Sequence, residues 1–305
     1  MKNSLKWVQQ LVAATLLFSL GTVANGEEYK PFVLAYTTDG AVPEVSSEVT
    51  AKLQAAGFEL VGHYNLNPET TIYVITSGAL KKHAAASKFG GYGAIQRVAV
   101  TRVGEETQVT YTNPTYMAHA YQMEGDLADV TTALEKALGR DREYGVDKAL
   151  SGDDLRGYHY MFGMEYFDDY SDHLLAEHPS QEEALKVVEA NLAAALSGVT
   201  KVYRVDIPGK EETVIGVALK GEGEKEKAMD DGFIMGEIDF KSVRSSAHLP
   251  VEMLISEGKV YALYYRFRIA VNFPELSMMG SNSFMNIMDS PDAAKAALKK
   301  VATAQ

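Results

Sequence analysis

The chain has 305 residues, 46% of them apolar and 23% charged, and it contains no cysteine. This is the composition of a globular protein, and it excludes a disordered chain, a collagen-like fibre, a disulfide scaffold, thiol catalysis and Cys-ligated metal. Lys and Arg total 29 against 41 Asp and Glu, a net charge of −12. That sign argues against a nucleic-acid partner, because phosphate backbones are bound by basic side chains, and against docking on anionic lipid.

Residues 1–26 read as an export leader. Lys2 and Lys6 give a basic start, Leu11 to Leu20 an apolar stretch, and Ala24-Asn25-Gly26 a small-x-small cleavage site. The apolar run is too short to span a bilayer, so stable membrane insertion is not expected and the periplasm is the expected destination.

The body reads as two units of the same order. In the first, residues 27–139, Phe32 to Tyr36 predicts a strand. Val45, Val49 and Leu53 then recur at helical spacing, with Gly57 as the stop. Phe58 to Tyr64 and Thr71 to Thr76 predict strands, and Ala79 to Lys88 a helix broken by Gly90-Gly91-Tyr92-Gly93. Ile95 to Arg102 and Gln108 to Thr112 predict a hairpin around Gly104-Glu105. Asp126 heads a helix carrying Val130, Leu134 and Leu138.

Residues 140–157 read as a polar linker, and 158–305 repeat the order. Tyr158 to Phe167 predicts a strand. Ser180 and Glu183 form a capping box ahead of Leu185, Val188 and Leu192. Thr200 to Val205 and Thr213 to Leu219 predict strands, and Lys225 to Asp231 a helix. Leu249 to Ile255 and Lys259 to Arg268 predict a hairpin, and Ser290-Pro291 heads a final helix. The expected fold class is therefore α+β: two tandem two-layer units, each a largely antiparallel sheet with helices on one face.

Three stretches carry a family resemblance: Phe58-Glu59-Leu60-Val61 through Thr76, Phe89 to Val100, and Tyr111-Thr112-Asn113-Pro114. With His248 to Glu252 and Arg266 to Ala270 in the second half, they resemble the periplasmic bacterial family called domain of unknown function number 302. The resemblance implies small α/β domains in two copies and a tendency to form homodimers. It implies no established reaction and no catalytic residues.

The residues suggest several chemistries. Met278, Met279, Met285 and Met288 offer thioethers that suit Cu(I), with His248 as an added ligand, although Met also fills cores. Phe284, Met285 and Met288 have the spacing of a short buried helix. Asp168-Asp169-Tyr170-Ser171-Asp172-His173 groups hard ligands, or simply forms an acidic helix start. Tyr158, Tyr160, Phe162, Met164 and Tyr166 would line one strand face, as core or as a platform for a flat molecule such as haem. Gly90 to Gly93, near Lys81, Lys82 and Lys88, could present N–H groups to an anion. His63 with Glu59, or His119 beside Tyr116 and Tyr121, could move protons if the fold brought them together. The leading expectation is a non-enzymatic binding or accessory module with its pocket between the units. The alternatives are a copper or haem carrier and an uncharacterised hydrolase.

Overall fold

The computed structural model describes residues 27–161, 163–224 and 226–303. The leader expected over residues 1–26 lies outside them. The fold is α+β, with antiparallel sheets and helices interleaved along the chain.

The first half runs β1 (Glu28–Tyr29), β2 (Phe32–Thr38), α1 (Val42–Ala55), β3 (Glu59–Asn67), β4 (Thr70–Thr76), α2 (Gly78–Ala86), β5 (Gln96–Val103), β6 (Glu106–Thr112), α3 (Pro114–Ala120), α4 (Ala128–Leu138) and β7 (Arg142–Tyr144). Then come β8 (Leu150–Ser151) and α5 (Gly152–Arg156). The stretch expected as a linker thus holds structure, since β7 extends the first sheet beside β2 and β8 pairs with β1. The second half runs α6 (Tyr170–His173), β9 (Leu174–Glu177), α7 (Gln181–Ala193), β10 (Val199–Asp206), β11 (Glu212–Leu219), α8 (Asp231–Ile238), β12 (Val251–Ser256), β13 (Lys259–Tyr261), α9 (Tyr265–Asn272) and α10 (Ser290–Ala302).

The first sheet has the order β3-β4-β5-β6-β2-β7, and the second β10-β11-β12-β13-β9. Taken from β3 and from β10, five strands therefore follow one order in both. The outer strands also share an irregularity. Register slips between Leu60 and Gly62 in β3, and between Lys201 and Tyr203 in β10, each as a bulge inserts one residue.

Local chemistry sets most element ends. Pro43 sits in the first turn of α1, where its missing N–H costs nothing, and Val45, Val49 and Leu53 form the buried stripe. Gly57 follows at φ +87°, a left-handed backbone that favours glycine. The Ser180 hydroxyl accepts from the Glu183 N–H at 3.2 Å, so α7 starts where its capping sequence places it.

Three expectations fail. The described residues of the expected strand, 158–161 and 163–167, form bends and turns instead, and β9 supplies the edge strand. The arm expected over Lys259 to Arg268 ends at Tyr261 and gives way to α9. The helix expected over Lys225 to Asp231 is, among the described residues, a single 3-10 turn at Lys227–Met229, and the α-helix starts at Asp231, where the Asp230 carboxylate accepts from the Phe233 N–H at 2.8 Å and caps it.

Alternate strand positions serve two surfaces, as the two-residue period requires. In β12, Met253 and Ile255 pack with Ala184, Val188 and Leu192 of α7, while Leu254 joins the core of the first half. Conversely, Phe32, Ile72 and Ala99 of the first sheet pack into the core of the second half. Helices cover the outer face of each sheet, and the inner faces meet. Gly62 lies where β3 crosses β10, so close that a Cβ there would run into the Val202 carbonyl. The turn Gly90–Gly93 rests on β11 and β12, while the turn Ser246–His248 rests on β4, β5 and β6.

Candidate functional site

An apolar cavity lies in the second half, between α9, the turns that precede α6 and the segment at 273–284. Its shape follows from how these irregular stretches are pinned. The Tyr158 hydroxyl donates to the Ala270 carbonyl at 2.9 Å, and the Tyr160 hydroxyl reaches the Leu276 carbonyl at 3.5 Å. Tyr158 and Tyr160 therefore anchor their loop to α9 and to the segment that follows it. The cavity measures about 210 Å³, and Tyr160, Met161, Met164, Ile269, Phe273 and Met278 form most of its wall. Ligand pockets usually run ~300–1,000 Å³, so this one fits a short chain or a single ring. Arg266 is the charged residue at the wall. It is paired with Glu165, itself 8% exposed, and that hydrogen bond raises the Arg266 pKa. The cavity therefore offers a guest apolar walls and a charge that is already compensated.

The C-terminal methionines stand around this region on the surface. Met278, Met279, Met285 and Met288 are 38%, 71%, 51% and 57% exposed, so the expectation that the Met285–Met288 turn is buried is overturned. Of the turn Phe284–Ile287, Ile287 is the residue that enters the core. Two backbone bonds, Phe284 N–H to Ser277 O at 2.8 Å and Met285 N–H to Met278 O at 3.2 Å, tie the two methionine stretches side by side. His248 does not join them. It is fully buried between the sheets, where an Arg268 Nη sits 2.9 Å from its ring. Burial, then the Arg268 and Arg97 charges, hold its pKa well below the usual value. A site that repels a proton this way also repels a metal cation. The thioethers that share the cavity with Met278 are instead Met161, which the sequence does not single out, and Met164, expected on a strand face as core or as a platform for a flat molecule.

His248 belongs to a buried ionic network. Arg97 of β5 pairs with Glu252 of β12, and Arg268 of α9 reaches the other Glu252 oxygen at 3.2 Å. All three side chains are at most 2% exposed. Arg268 also donates to the carbonyls of His248 and Pro250. Burial lowers the Arg97 pKa, and the neighbouring Arg268 lowers it further. The network joins one sheet to the other and is closed to solvent.

The remaining candidates are dispersed or internally satisfied. The Asp169 carboxylate accepts from the Tyr166 N–H at 2.8 Å, and His173 is spent on the Tyr166 carbonyl and the Tyr264 N–H. Among the described residues, no three His, Asp or Glu side chains converge as a metal site. The glycine turn does meet an anion, but an internal one, since the Gly91 N–H donates to the Glu212 carboxylate at 2.8 Å. Lys81 pairs with Glu59, which takes that carboxylate away from His63. His119 stacks on Tyr29 with ring centres 5.4 Å apart, while the Tyr116 hydroxyl donates to Val271 of α9. Among the described residues, no helix is long and apolar enough to cross a membrane. No protein-family model, curated protein or solved structure matches the chain.

Proposed function

We propose that this is an exported, non-enzymatic accessory protein, built from two related α+β units, that binds a small apolar molecule in the cavity of the second unit. The observation that carries the binding reading is that cavity, with its thioether and aromatic walls and its one arginine neutralised by Glu165. Flexible thioethers adapt to guests of varied outline, which suits a carrier. The shared strand order and shared bulge support a duplicated unit, and the segments resembling the domain-of-unknown-function family fall on both sheets. The basic start and apolar stretch of residues 1–26 support export.

The test uses indole and 1-hexanol as probes in ligand-detected NMR. Wild type should give saturable binding, and Met161→Trp, a bulky change at a wall residue that is 46% exposed, should abolish it while the melting temperature holds. Equal binding by the filled variant would refute the site. A second reading, a Cu(I) site, is favoured by Met161, Met164 and Met278 lining one cavity. Competition against a Cu(I) chelator decides it: a stoichiometric site lost in Met164→Leu supports copper, and no retention of metal removes it. A haem macrocycle exceeds the cavity.

A further inference from the structure

We propose that Met161 and Met278 are modification sites, oxidised to the sulfoxide by hydrogen peroxide, and that this change closes the apolar cavity to its guest. Closure rests on the cavity being the binding site; the oxidation itself does not.

Sulfur is distributed unevenly over the molecule. The chain has 12 methionines and no cysteine, so a thioether is its softest nucleophile. Methionine commonly fills gaps in cores, and Met117, Met123, Met229, Met235 and Met253 do so here, each at most 4% exposed. Yet among the described residues eight large apolar side chains are exposed, and five of them are methionines: Met161, Met278, Met279, Met285 and Met288. The bias is local. Met161 and Met278 form part of the cavity wall, Met279 follows Met278, and the Met285 N–H donates to the Met278 carbonyl at 3.2 Å. Met164, on the same wall, is half-buried. Leucine would line the wall as well for an apolar guest and would be inert, so thioethers at the mouth make this surface, and not the core, open to oxidation.

In the reaction a sulfur lone pair attacks one peroxide oxygen. An S–O bond forms as the O–O bond breaks, and the leaving hydroxide takes the proton from the sulfur-bound oxygen. The products are a sulfoxide and water; sulfur has lost two electrons and the peroxide has gained them. A strong dipole now stands where a soft apolar atom stood. Because Met161 and Met278 are at once wall and surface, the new oxygen has two places to go. Turned inward, it meets the guest and gives up its hydration. Turned outward, it draws the sulfur and its methyl off the wall, and the guest loses those contacts. Both weaken binding.

The test treats the folded full chain with dilute hydrogen peroxide. Peptide mass mapping reads the added oxygen at each methionine, and ligand-detected NMR reads indole. The five exposed methionines should gain oxygen well ahead of the five buried ones, and indole affinity should fall by about tenfold or more. A methionine sulfoxide reductase should restore it, which loss of the fold would not allow. The double change Met161→Gln, Met278→Gln should weaken binding without any oxidant. The triple change Met279→Leu, Met285→Leu, Met288→Leu, all outside the wall, should leave the response to peroxide as in wild type. Buried methionines oxidised as fast as exposed ones, oxidised protein that binds as tightly as reduced, or a loss that the reductase does not reverse would each overturn the proposal. Indole binding that survives oxidation leaves the cavity reading standing, whereas reduced protein that binds neither indole nor 1-hexanol removes that reading and closure with it.

Discussion

Asp231, at the start of α8, makes the fold pH-dependent in a direction opposite to that of most carboxylates. Its side chain is fully buried; one oxygen accepts from the Leu219 N–H at 2.9 Å and the Tyr64 hydroxyl at 3.1 Å, and the other has no partner. Burial outweighs those bonds and pushes the pKa from 3.8 up to about 7. The folded state therefore holds a proton that the unfolded chain releases above pH 4. The stability this group contributes is complete below that pH and is lost as pH rises through about 7. At 1.36 kcal/mol per pKa unit, the part falling between pH 5 and 8 is about 2–3 kcal/mol. Asp231→Asn keeps an oxygen for both donors and cannot ionise. Urea unfolding at pH 5 and pH 8 should show wild type losing about 1 M in midpoint over that range, for a slope of roughly 2–3 kcal/mol per molar. The variant should lose clearly less. The new amide places a donor at the unpartnered position and costs about 1–3 kcal/mol at every pH, so the comparison is one of slopes. Equal slopes for the two proteins would refute the reasoning.

Other perturbations follow from the same contacts. Asp239, raised by burial to about 6, adds a loss of the same sign at lower pH, so Asp239→Asn should flatten the stability profile between pH 4 and 6 in the same unfolding assay. Glu252→Gln leaves Arg97 and Arg268 buried without their counter-charge and should cost about 3–5 kcal/mol, seen as a large fall in melting temperature; the triple change Arg97→Met, Glu252→Leu, Arg268→Met should recover much of it. Gly62→Val drives a side chain into the β10 backbone and should cost about 1–3 kcal/mol by denaturant unfolding, against a near-neutral Gly78→Ala, whose added Cβ meets open space.

Element order and fold class were legible because the periodicities are strong. Val45, Val49 and Leu53, the Ser180 cap and the two hairpin turns lie where local chemistry dictates. The stretch from Tyr158 to Tyr166 misled because alternation of rings is read as a strand, whereas here Tyr158 and Tyr160 reach across to carbonyls more than a hundred residues away. The same long reach hid the cavity, since Met161 and Met164 meet Met278 only after α9 is in place. The ionic network left a trace that could have been read: Arg97, after Gln96, interrupts an otherwise apolar run from Ala94 to Val100, and Glu252 lies between Val251 and Met253. A charge inside a strand buried on both faces requires a partner, but sequence alone did not say which.

Counting ladder pairs from the shared bulge places Gly62, Val74 and Arg97 on one row, and Tyr203, Gly216 and Glu252 on the matching row. Gly62 meets Tyr203, and Arg97 meets Glu252, so the seam joins like rows to like. Were either half to associate with a copy of itself along this seam, it would entomb two arginines or two glutamates face to face. The charges on the seam thus favour contact between unlike halves over contact between two copies of the same half.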